Sequence, residues 1–168
     1  MKKIGIYMLC VLFAAGCRNE EKQIREQAKN SVDSLMSVEN LKKTIVGNWE
    51  TVSFKVDVRT ANNTDSSYSF YVGRNEWEQK LNMHPFQTFF RENNTYSMQI
   101  MSAADSLVDT RRGLWSVFGD TLMLIEADGS YQYRVRAKNK YLQFESLLDW
   151  DGDGQEDDAY MRLEARKD

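Results

Sequence analysis

The stretch that decides the fold is residues 130–148, SYQYRVRAKNKYLQFESLL. It holds two runs in which every second side chain is apolar, the pattern of a strand with one buried and one solvated face. The residues Lys138-Asn139 between the runs favour a tight turn, so the two runs are predicted to form a hairpin. The apolar side chains of the shared face are Tyr131, Tyr133, Val135, Leu142 and Phe144.

Similar short runs extend from this hairpin in both directions. Most are separated by tight turns such as Gly119-Asp120 and Asp128-Gly129, and sequential hairpins make an up-and-down antiparallel meander. A helical turn is predicted at Arg74–Met83, where Trp77 and Leu81 stand four residues apart. The predicted strands are Val46–Val58, Ser67–Val72, Phe86–Arg91, Thr95–Met101, Arg112–Phe118, Thr121–Glu126, Ser130–Ala137, Lys140–Leu148 and Asp158–Arg166.

The free edges of such a meander must be closed or covered. With about eight strands, closure into a barrel is the simplest solution, and an open sandwich is the alternative. The sequence therefore predicts an all-β fold, an up-and-down antiparallel barrel of about eight strands over residues 44–168, preceded by an N-terminal amphipathic helix.

A lipoprotein export signal is predicted at the start of the chain. Lys2 and Lys3 form a basic n-region, and Ile4–Ala15 is an apolar run too short to span a bilayer comfortably. The small residues Ala14-Ala15-Gly16 then stand directly before Cys17, the pattern of a lipobox. We expect residues 1–16 to be removed as a signal peptide and Cys17 to be acylated, with a plain signal peptide or a single anchor helix as the alternative.

The residues after Cys17 bear on location. Arg18 stands where an inner-membrane retention signal has Asp, so a lipid-anchored protein of the outer membrane of a Gram-negative cell is expected. Glu20 and Glu21 resemble the acidic tags of lipoproteins displayed on the cell surface. A periplasmic and a surface-facing position both stay open.

Residues 17–43 are predicted to be the lipidated N-terminus followed by a helix. Apolar side chains recur there near helical spacing in a polar stretch without Gly or Pro. Two interpretations stay open, a tether that holds the domain off the membrane and a helix that docks on the domain as a lid. The apolar residues of this helix are Ile24, Ala28, Val32, Leu35 and Met36.

Composition excludes several classes of protein. Loss of Lys2 and Lys3 with the signal takes the net charge from −3 to −5, and an acidic chain without a basic block has no footprint for nucleic acid. Cys10 leaves with the signal and Cys17 carries lipid, so disulfides, thiol catalysis and cysteine–zinc sites are excluded. His84 is the single histidine, which argues against multi-histidine metal sites. No nucleotide-binding fingerprint is present, so we expect neither an enzyme nor a redox or nucleotide cofactor.

An acidic stretch at residues 149–158, DWDGDGQEDD, has the spacing of a calcium loop. Carboxylates alternate at its start, Gly154 stands where a sharp turn is needed, and hard oxygen ligands are what Ca²⁺ prefers. Tyr160 replaces the bidentate glutamate of a complete EF-hand, so that motif is excluded. A structural Ca²⁺ site and a plain solvated turn both stay open. The candidate ligands are Asp149, Asp151, Asp153, Gln155 and Asp157.

Several segments together resemble the bacterial lipocalin-like lipoproteins. Gly47-Asn48-Trp49, after a helix and at the start of the first strand, resembles the G-x-W signature of lipocalins. The resemblance covers roughly Thr44 to Arg166, and it places Arg162 over Trp49 in a structural cation–π contact. The segments that continue it are Thr88-Phe89-Phe90, Asn94-Thr95-Tyr96, Gly113-Leu114-Trp115, Gly119-Asp120-Thr121-Leu122 and Tyr160-Met161-Arg162-Leu163.

The family implies a calyx for a small apolar ligand, bound without catalysis. Membrane lipid would then be reached only through acylated Cys17. The alternative is a structural or interaction module with a filled barrel core, accessory to a larger outer-membrane or cell-surface complex. The same aromatic side chains line the calyx in the first case and form a plain core in the second: Trp49, Phe54, Phe89, Tyr96, Trp115, Tyr133 and Phe144.

Overall fold

The computed structural model describes residues 37–167 together with Gln23 and Glu26, which are helical. The chain divides into two compact units, Met1–Ser37 and Val38–Asp168. The predicted signal, Cys17, the acidic residues Glu20 and Glu21, and most of the predicted helix in residues 17–43 lie outside the described residues. Within the described part of the chain, no helix combines the length and the hydropathy needed to cross a bilayer.

The second unit is built from nine strands in one antiparallel sheet. Residues 37–45 are helical (α1) and lead directly into β1, and a short helix α2 spans Trp77–Leu81. A 3₁₀ turn at Ala61–Asn63 lies between β1 and β2. The strands are β1 Gly47–Val58, β2 Tyr68–Val72, β3 Gln87–Phe90, β4 Thr95–Met101, β5 Leu107–Phe118, β6 Thr121–Ile125, β7 Ser130–Lys138, β8 Tyr141–Leu148 and β9 Asp158–Lys167.

Strand β1 closes the sheet into a barrel. One edge of β1 pairs with β9 along nearly its whole length, from Asn48↔Lys167 to Asp57↔Ala159. The other edge pairs with β3 in its first half and with β2 in its second half. Eight strands therefore form a closed antiparallel barrel, and β2 is an additional strand beside it.

The buried apolar side chains form two hydrophobic clusters. The larger contains Trp49, Trp115 and Phe144, against which Val38 and Leu41 of α1 pack. The indole Nε1 of Trp49 donates a 2.7 Å hydrogen bond to the carbonyl of Ile45, which fixes the end of α1 to the start of β1. The smaller cluster lies where β1, β2 and α2 meet, around Trp77.

The all-β barrel predicted from the alternation is confirmed, and it is consistent with a lipocalin-like fold. Most predicted strands lie within one or two residues of the observed ones, including the short β2 and the helical turn at Trp77–Leu81. The open sandwich is excluded by the β1–β9 pairing. One prediction was wrong in extent: β5 begins at Leu107, five residues before the predicted Arg112.

Candidate functional site

Strand β9 turns its polar face into the barrel. Asp158, Arg162 and Glu164 are only 1%, 4% and 0% exposed, whereas Met161 of the opposite face is 39% exposed. The register with β1 sets this phase, because a bulge between Thr51 and Ser53 shifts the pairing within β1. Arg162 and Glu164 therefore lie inside the barrel among apolar groups, and Asp158 is buried at the start of the same strand.

Arg162 and Glu164 form a buried ion pair. The Nε of Arg162 lies 3.3 Å from the Oε1 of Glu164. The hydroxyls of Thr88 and Thr51 donate to the same Oε1 at 3.0 and 3.5 Å, so one carboxylate oxygen carries all the contacts. Both threonines are themselves buried.

This ion pair is incompletely hydrogen-bonded. Among the described residues, the Nε and Nη2 atoms of Arg162 and the Oε2 atom of Glu164 are buried and have no hydrogen-bond partner. A buried polar atom without a partner costs about 1–3 kcal/mol, and more when it belongs to a charged group. Such atoms are rare in stable domains and mark places where function outweighs stability.

Aromatic faces hold the guanidinium of Arg162 in place. Its central carbon lies 4.6 Å from the ring centre of Phe144 and 5.7 Å from that of Tyr133. The two rings also contact each other edge to face, with centres 6.1 Å apart. These cation–π contacts fix the direction in which the free Nη2 points.

Burial dominates the titration of the groups around the pair. Burial raises the pKa of Glu164, against the opposing effects of Arg162 and the two threonine hydroxyls. Burial likewise raises the pKa of Tyr160 to about 12, although the nearby Arg162 acts in the opposite direction. The pKa of Tyr133 is also raised by burial. Both tyrosines are therefore neutral hydroxyl groups at physiological pH.

A second polar group lies near the end of the barrel that carries the β4–β5 and β6–β7 connections. The Nε of Arg111 lies 3.1 Å from Oε2 of Glu126, and its Nη2 donates a 3.1 Å hydrogen bond to the hydroxyl of Tyr131. The hydroxyl of Tyr96 donates to the other oxygen of Glu126. The Arg111 side chain is 35% exposed, so this polar group reaches solvent. We call this end of the barrel, defined by Arg111, Glu126 and Tyr131, the mouth.

Most of the predicted calyx residues face the interior. Trp49, Tyr96, Trp115, Tyr133 and Phe144 belong to the larger cluster and Phe54 to the smaller one. Phe89 lies on the opposite face of β3, because its neighbour Phe90 is the buried residue. The structure thus brings six of the seven predicted residues into the interior and leaves Phe89 outside.

The interior aromatic rings contact one another. The ring centre of Phe90 lies 5.9 Å from that of Tyr96 and 5.8 Å from that of Trp115. Tyr133 lies 6.2 Å from Tyr160. This packing is that of a core at the Trp49 end, and it leaves the region around Arg162 and the mouth as the polar part of the interior.

The arginine predicted to cover Trp49 was assigned wrongly. Arg166, not Arg162, lies over the indole, with its central carbon 4.7 Å from the ring centre. The cause is the register, since Trp49 and Arg166 are direct partners across β1 and β9. Arg162 is instead buried beside Phe144.

The acidic stretch brings three of its five predicted ligands together. One carboxylate oxygen from each of Asp149, Asp151 and Asp153 lies within 4.8 Å of the others. Asp157 accepts a hydrogen bond from the hydroxyl of Thr60 and is not one of these three grouped carboxylates. The backbone amide of Gln155 donates to Asp153.

The neighbouring β1–β2 loop already supplies partners to these carboxylates. The backbone amides of Asn62 and Asn63 donate to Asp151 and Asp153 at 2.6 and 3.1 Å. Both asparagines adopt positive φ, a conformation that this residue tolerates better than most. The loop geometry therefore relieves part of the repulsion among the carboxylates without a cation.

A broad groove lies on the outer wall of the barrel. It encloses about 750 Å³ and is open to solvent. Its floor is formed by Leu147, Ala159 and Met161, and an ion pair of Lys55 with Asp57, 2.6 Å long, lies beside them. This groove is not the predicted calyx, because most of its lining residues lie on the outward faces of their strands.

Sequence reasoning missed the interior polar residues. The sequence patterns do not single out Thr51, Thr88, Arg111 or Glu164, and they place Glu126 only at the end of a predicted strand. The available signal was the Tyr160-x-Arg162-x-Glu164 alternation of β9, in which one face carries the charges. Hydrophobicity alone would place that face outside, so only the register with β1 shows that it lies inside.

Comparisons of the sequence with known proteins do not identify a family for this chain. No protein-family profile matches the chain, and no curated protein sequence matches it.

Proposed function

We propose that this protein is a non-catalytic, lipid-anchored envelope lipoprotein of the lipocalin-like kind, whose barrel binds a small, largely apolar ligand. The anchor rests on the lipobox that ends at Cys17, and the outer membrane rests on Arg18. The closed barrel is a fold compatible with this activity, since eight strands leave room for side chains or one small ligand.

The observation that carries the proposal is the incompletely bonded ion pair of Arg162 and Glu164. Moving an ion from water into a protein interior costs several kcal/mol, and apolar residues of similar size are often at least as stabilising as a buried pair. A barrel selected for stability alone gains nothing from such atoms. A small number of polar groups in an apolar interior is typical of a ligand site.

The mouth supplies a way into this interior. Arg111 and Tyr131 stand at the solvent-exposed end of the interior polar groups, whereas Arg162 stands at the buried end. Tyr133 contacts Arg162, with the guanidinium carbon 5.7 Å from its ring centre. A ligand that enters at the mouth therefore meets hydrogen-bonding groups along its path to Arg162.

A second function is favoured by the aromatic packing. The contacts of Phe90 with Tyr96 and Trp115 are those of a filled core. A barrel filled throughout would act as a structural or interaction module in a larger outer-membrane or cell-surface complex. The outer-wall groove, with Leu147 and Met161 in its floor, would then be the contact surface.

A structural Ca²⁺ at the acidic stretch is compatible with either function. Asp149, Asp151 and Asp153 supply three hard oxygen ligands of the kind that Ca²⁺ prefers. A bound ion would brace the connection between β8 and β9 against the β1–β2 loop, with no catalytic role.

Native mass spectrometry of the full chain, released from membranes in mild detergent, tests the main proposal. We expect the acylated protein to carry a non-covalent small molecule. Arg162→Met should lose this molecule, whereas Arg134→Met, the same change on the exposed outer wall, should keep it. Circular dichroism shows whether both variants are folded.

One mass-spectrometric result would contradict the proposal. A spectrum that holds only the acylated chain, in the wild-type protein as in both variants, contradicts ligand binding. A stoichiometric protein partner in that spectrum would favour the interaction module instead.

A further inference from the structure

The Nε of Arg162 already lies 3.3 Å from Oε1 of Glu164, so the pair offers the Nη2 of Arg162 as a free donor and the Oε2 of Glu164 as a free acceptor. The Nη2 of Arg162 needs an acceptor, and the Oε2 of Glu164 needs a donor. Both atoms belong to side chains at least nine-tenths buried, so bulk water does not satisfy them. A ligand group that completes the pair must therefore accept and donate a hydrogen bond at the same time.

The positive charge of Arg162 is already balanced by the carboxylate of Glu164. Oε1 of Glu164 lies 3.3 Å from Arg162 and accepts from the hydroxyls of Thr88 and Thr51, three contacts that favour the carboxylate form. The other titratable groups nearby, Tyr133 and Tyr160, are neutral because burial raises their pKa. An added anion would place two negative charges beside one guanidinium in a poorly solvated interior, which is strongly unfavourable.

Resting on the proposed ligand binding, we propose that the Arg162–Glu164 pair selects a ligand with an uncharged head group that both donates and accepts a hydrogen bond. A carboxamide, an alcohol and the protonated form of a carboxylic acid meet this requirement. A carboxylate or a phosphate does not, and a carboxylic acid is bound only together with its proton.

The interior rings agree with an apolar body behind such a head group. The rings of Phe144 and Tyr133 both contact the guanidinium of Arg162, and the ring of Tyr160 lies 6.2 Å from that of Tyr133. One hydrogen-bonding head on an apolar chain therefore matches the composition of this part of the interior.

The test compares three probes of equal chain length: octanamide, octanoate and methyl octanoate. The ester can accept a hydrogen bond but cannot donate one. Binding to the full chain in lipid nanodiscs is measured by ligand-observed NMR, with empty nanodiscs subtracted. At pH 8 we expect octanamide to bind at least about tenfold more tightly than octanoate and more tightly than the ester.

The pH dependence of the wild-type protein provides a reading that needs no variant. Octanoate should bind more tightly as the pH falls from 8 to 6, by up to about tenfold per pH unit, because the acid form is the one bound. Octanamide should show no such change. Octanoate binding that is independent of pH, or tighter than that of octanamide at pH 8, overturns the inference.

A charge variant sharpens the test. Glu164→Gln keeps the shape of the side chain and leaves the charge of Arg162 unbalanced, so octanoate should become the preferred probe. Glu145→Gln on the outer wall, where Glu145 pairs with Arg136 at 3.3 Å, should leave the preference unchanged. If Glu164→Gln does not fold, the order in which the three probes bind to the wild-type protein at pH 8 decides the question.

Failure of the proposed function is distinguishable from failure of this inference. A neutral apolar fluorophore, N-phenyl-1-naphthylamine, reports on apolar binding without a matched head group. If neither the fluorophore nor any of the three probes binds, ligand binding itself is contradicted, and this inference falls with it. If the three octyl probes bind with equal affinity, only the inference is overturned.

Discussion

Arg166 lies over the indole of Trp49, with its guanidinium carbon 4.7 Å from the ring centre, and its Nη2 donates to the carbonyls of Thr44 and Val46 at 2.7 and 3.1 Å. One side chain of the last strand thereby joins the end of α1, the start of β1 and the ring that closes this end of the barrel. The contact links residues that lie more than a hundred positions apart in the chain.

Arg166→Ala should therefore destabilise the domain. The change removes the cation–π contact and leaves two carbonyls without their donor, which we expect to lower the free energy of unfolding by about 2 kcal/mol. Urea denaturation followed by tryptophan fluorescence measures this. Arg134→Ala removes an exposed ion pair with Asp120 and should change stability by less than about 0.5 kcal/mol. Equal effects of the two changes would refute the role given to Arg166.

Gly113→Ala should damage the barrel wall between β5 and β6. A Cβ at Gly113 would lie 2.0 Å from the carbonyl oxygen of Ile125, a backbone atom that cannot move away without parting the strands. We expect a loss of about 3 kcal/mol or failure to fold. Gly129→Ala is the control, since the nearest atom to its Cβ would be the Tyr131 hydroxyl at 4.0 Å. Thermal melts of the two variants test the difference, and a Gly113→Ala melt like that of the wild type would contradict the register.

Glu164 should make the domain less stable as the pH rises. Burial raises its pKa above the ordinary value of 4.5, so between these two values the folded state holds a proton that the unfolded state has lost. The stabilisation is thus complete below about pH 4.5 and disappears as the pH rises through the raised pKa. Denaturation of the wild type and of Glu164→Gln across this range isolates the effect, because all other groups are common to both proteins. A difference between the two that does not vary with pH would be incompatible with a buried, titrating Glu164.

Calcium at a millimolar concentration should raise the melting temperature of the full chain. For an affinity near that of extracellular calcium modules, we expect a gain of about 0.4–1.4 kcal/mol. Asp151→Asn should abolish the gain, whereas Asp128→Asn in the β6–β7 turn should retain it. Calorimetry that shows no heat of binding, together with unchanged melting, would leave the acidic stretch as a turn held by the amides of Asn62 and Asn63.

Cys17→Ser should abolish acylation and membrane attachment when the full chain is exported in a Gram-negative host. The expected result is loss of labelling by radioactive palmitate and of the protein from the outer-membrane fraction, because lipid supplies the attachment. Cys10→Ser lies in the predicted signal and should leave both unchanged. Labelling of the Cys17→Ser protein would show that the anchor lies elsewhere.

The barrel was predictable because most strands carry a simple alternation. Tyr131, Tyr133 and Val135 identify the inner face of β7 without any tertiary information, and the turn at Lys138-Asn139 identifies its end. The sequence pattern does not indicate the start of β5, because the inward positions there include Arg111. A charged residue at such a position is expected to face solvent. A charge that lies inside a barrel looks the same in sequence as one that lies outside.

The candidate site was only partly predictable for the same reason. Six aromatic residues could be placed inside by hydrophobicity, but Phe89 and Phe90 are adjacent and equally apolar, so their phase is set by pairing with β4. The roles of Arg162 and Arg166 depend on the bulge between Thr51 and Ser53, which no local pattern indicates. The residues of the candidate site are therefore those at which the alternation of apolar and polar side chains breaks down.

Because β1 pairs with β9, the barrel cannot close until the last strand of the chain is available to the first. The hydroxyl of Thr51 meets a carboxylate 113 residues further along the chain. Contacts between such distant positions slow folding and leave β1, with its bare backbone edge, open to wrong partners in the meantime. A chain tethered by its N-terminus would spend this interval beside a lipid surface, so a holdase that shields Gly47–Val58 until β9 arrives would raise the yield of the folded protein.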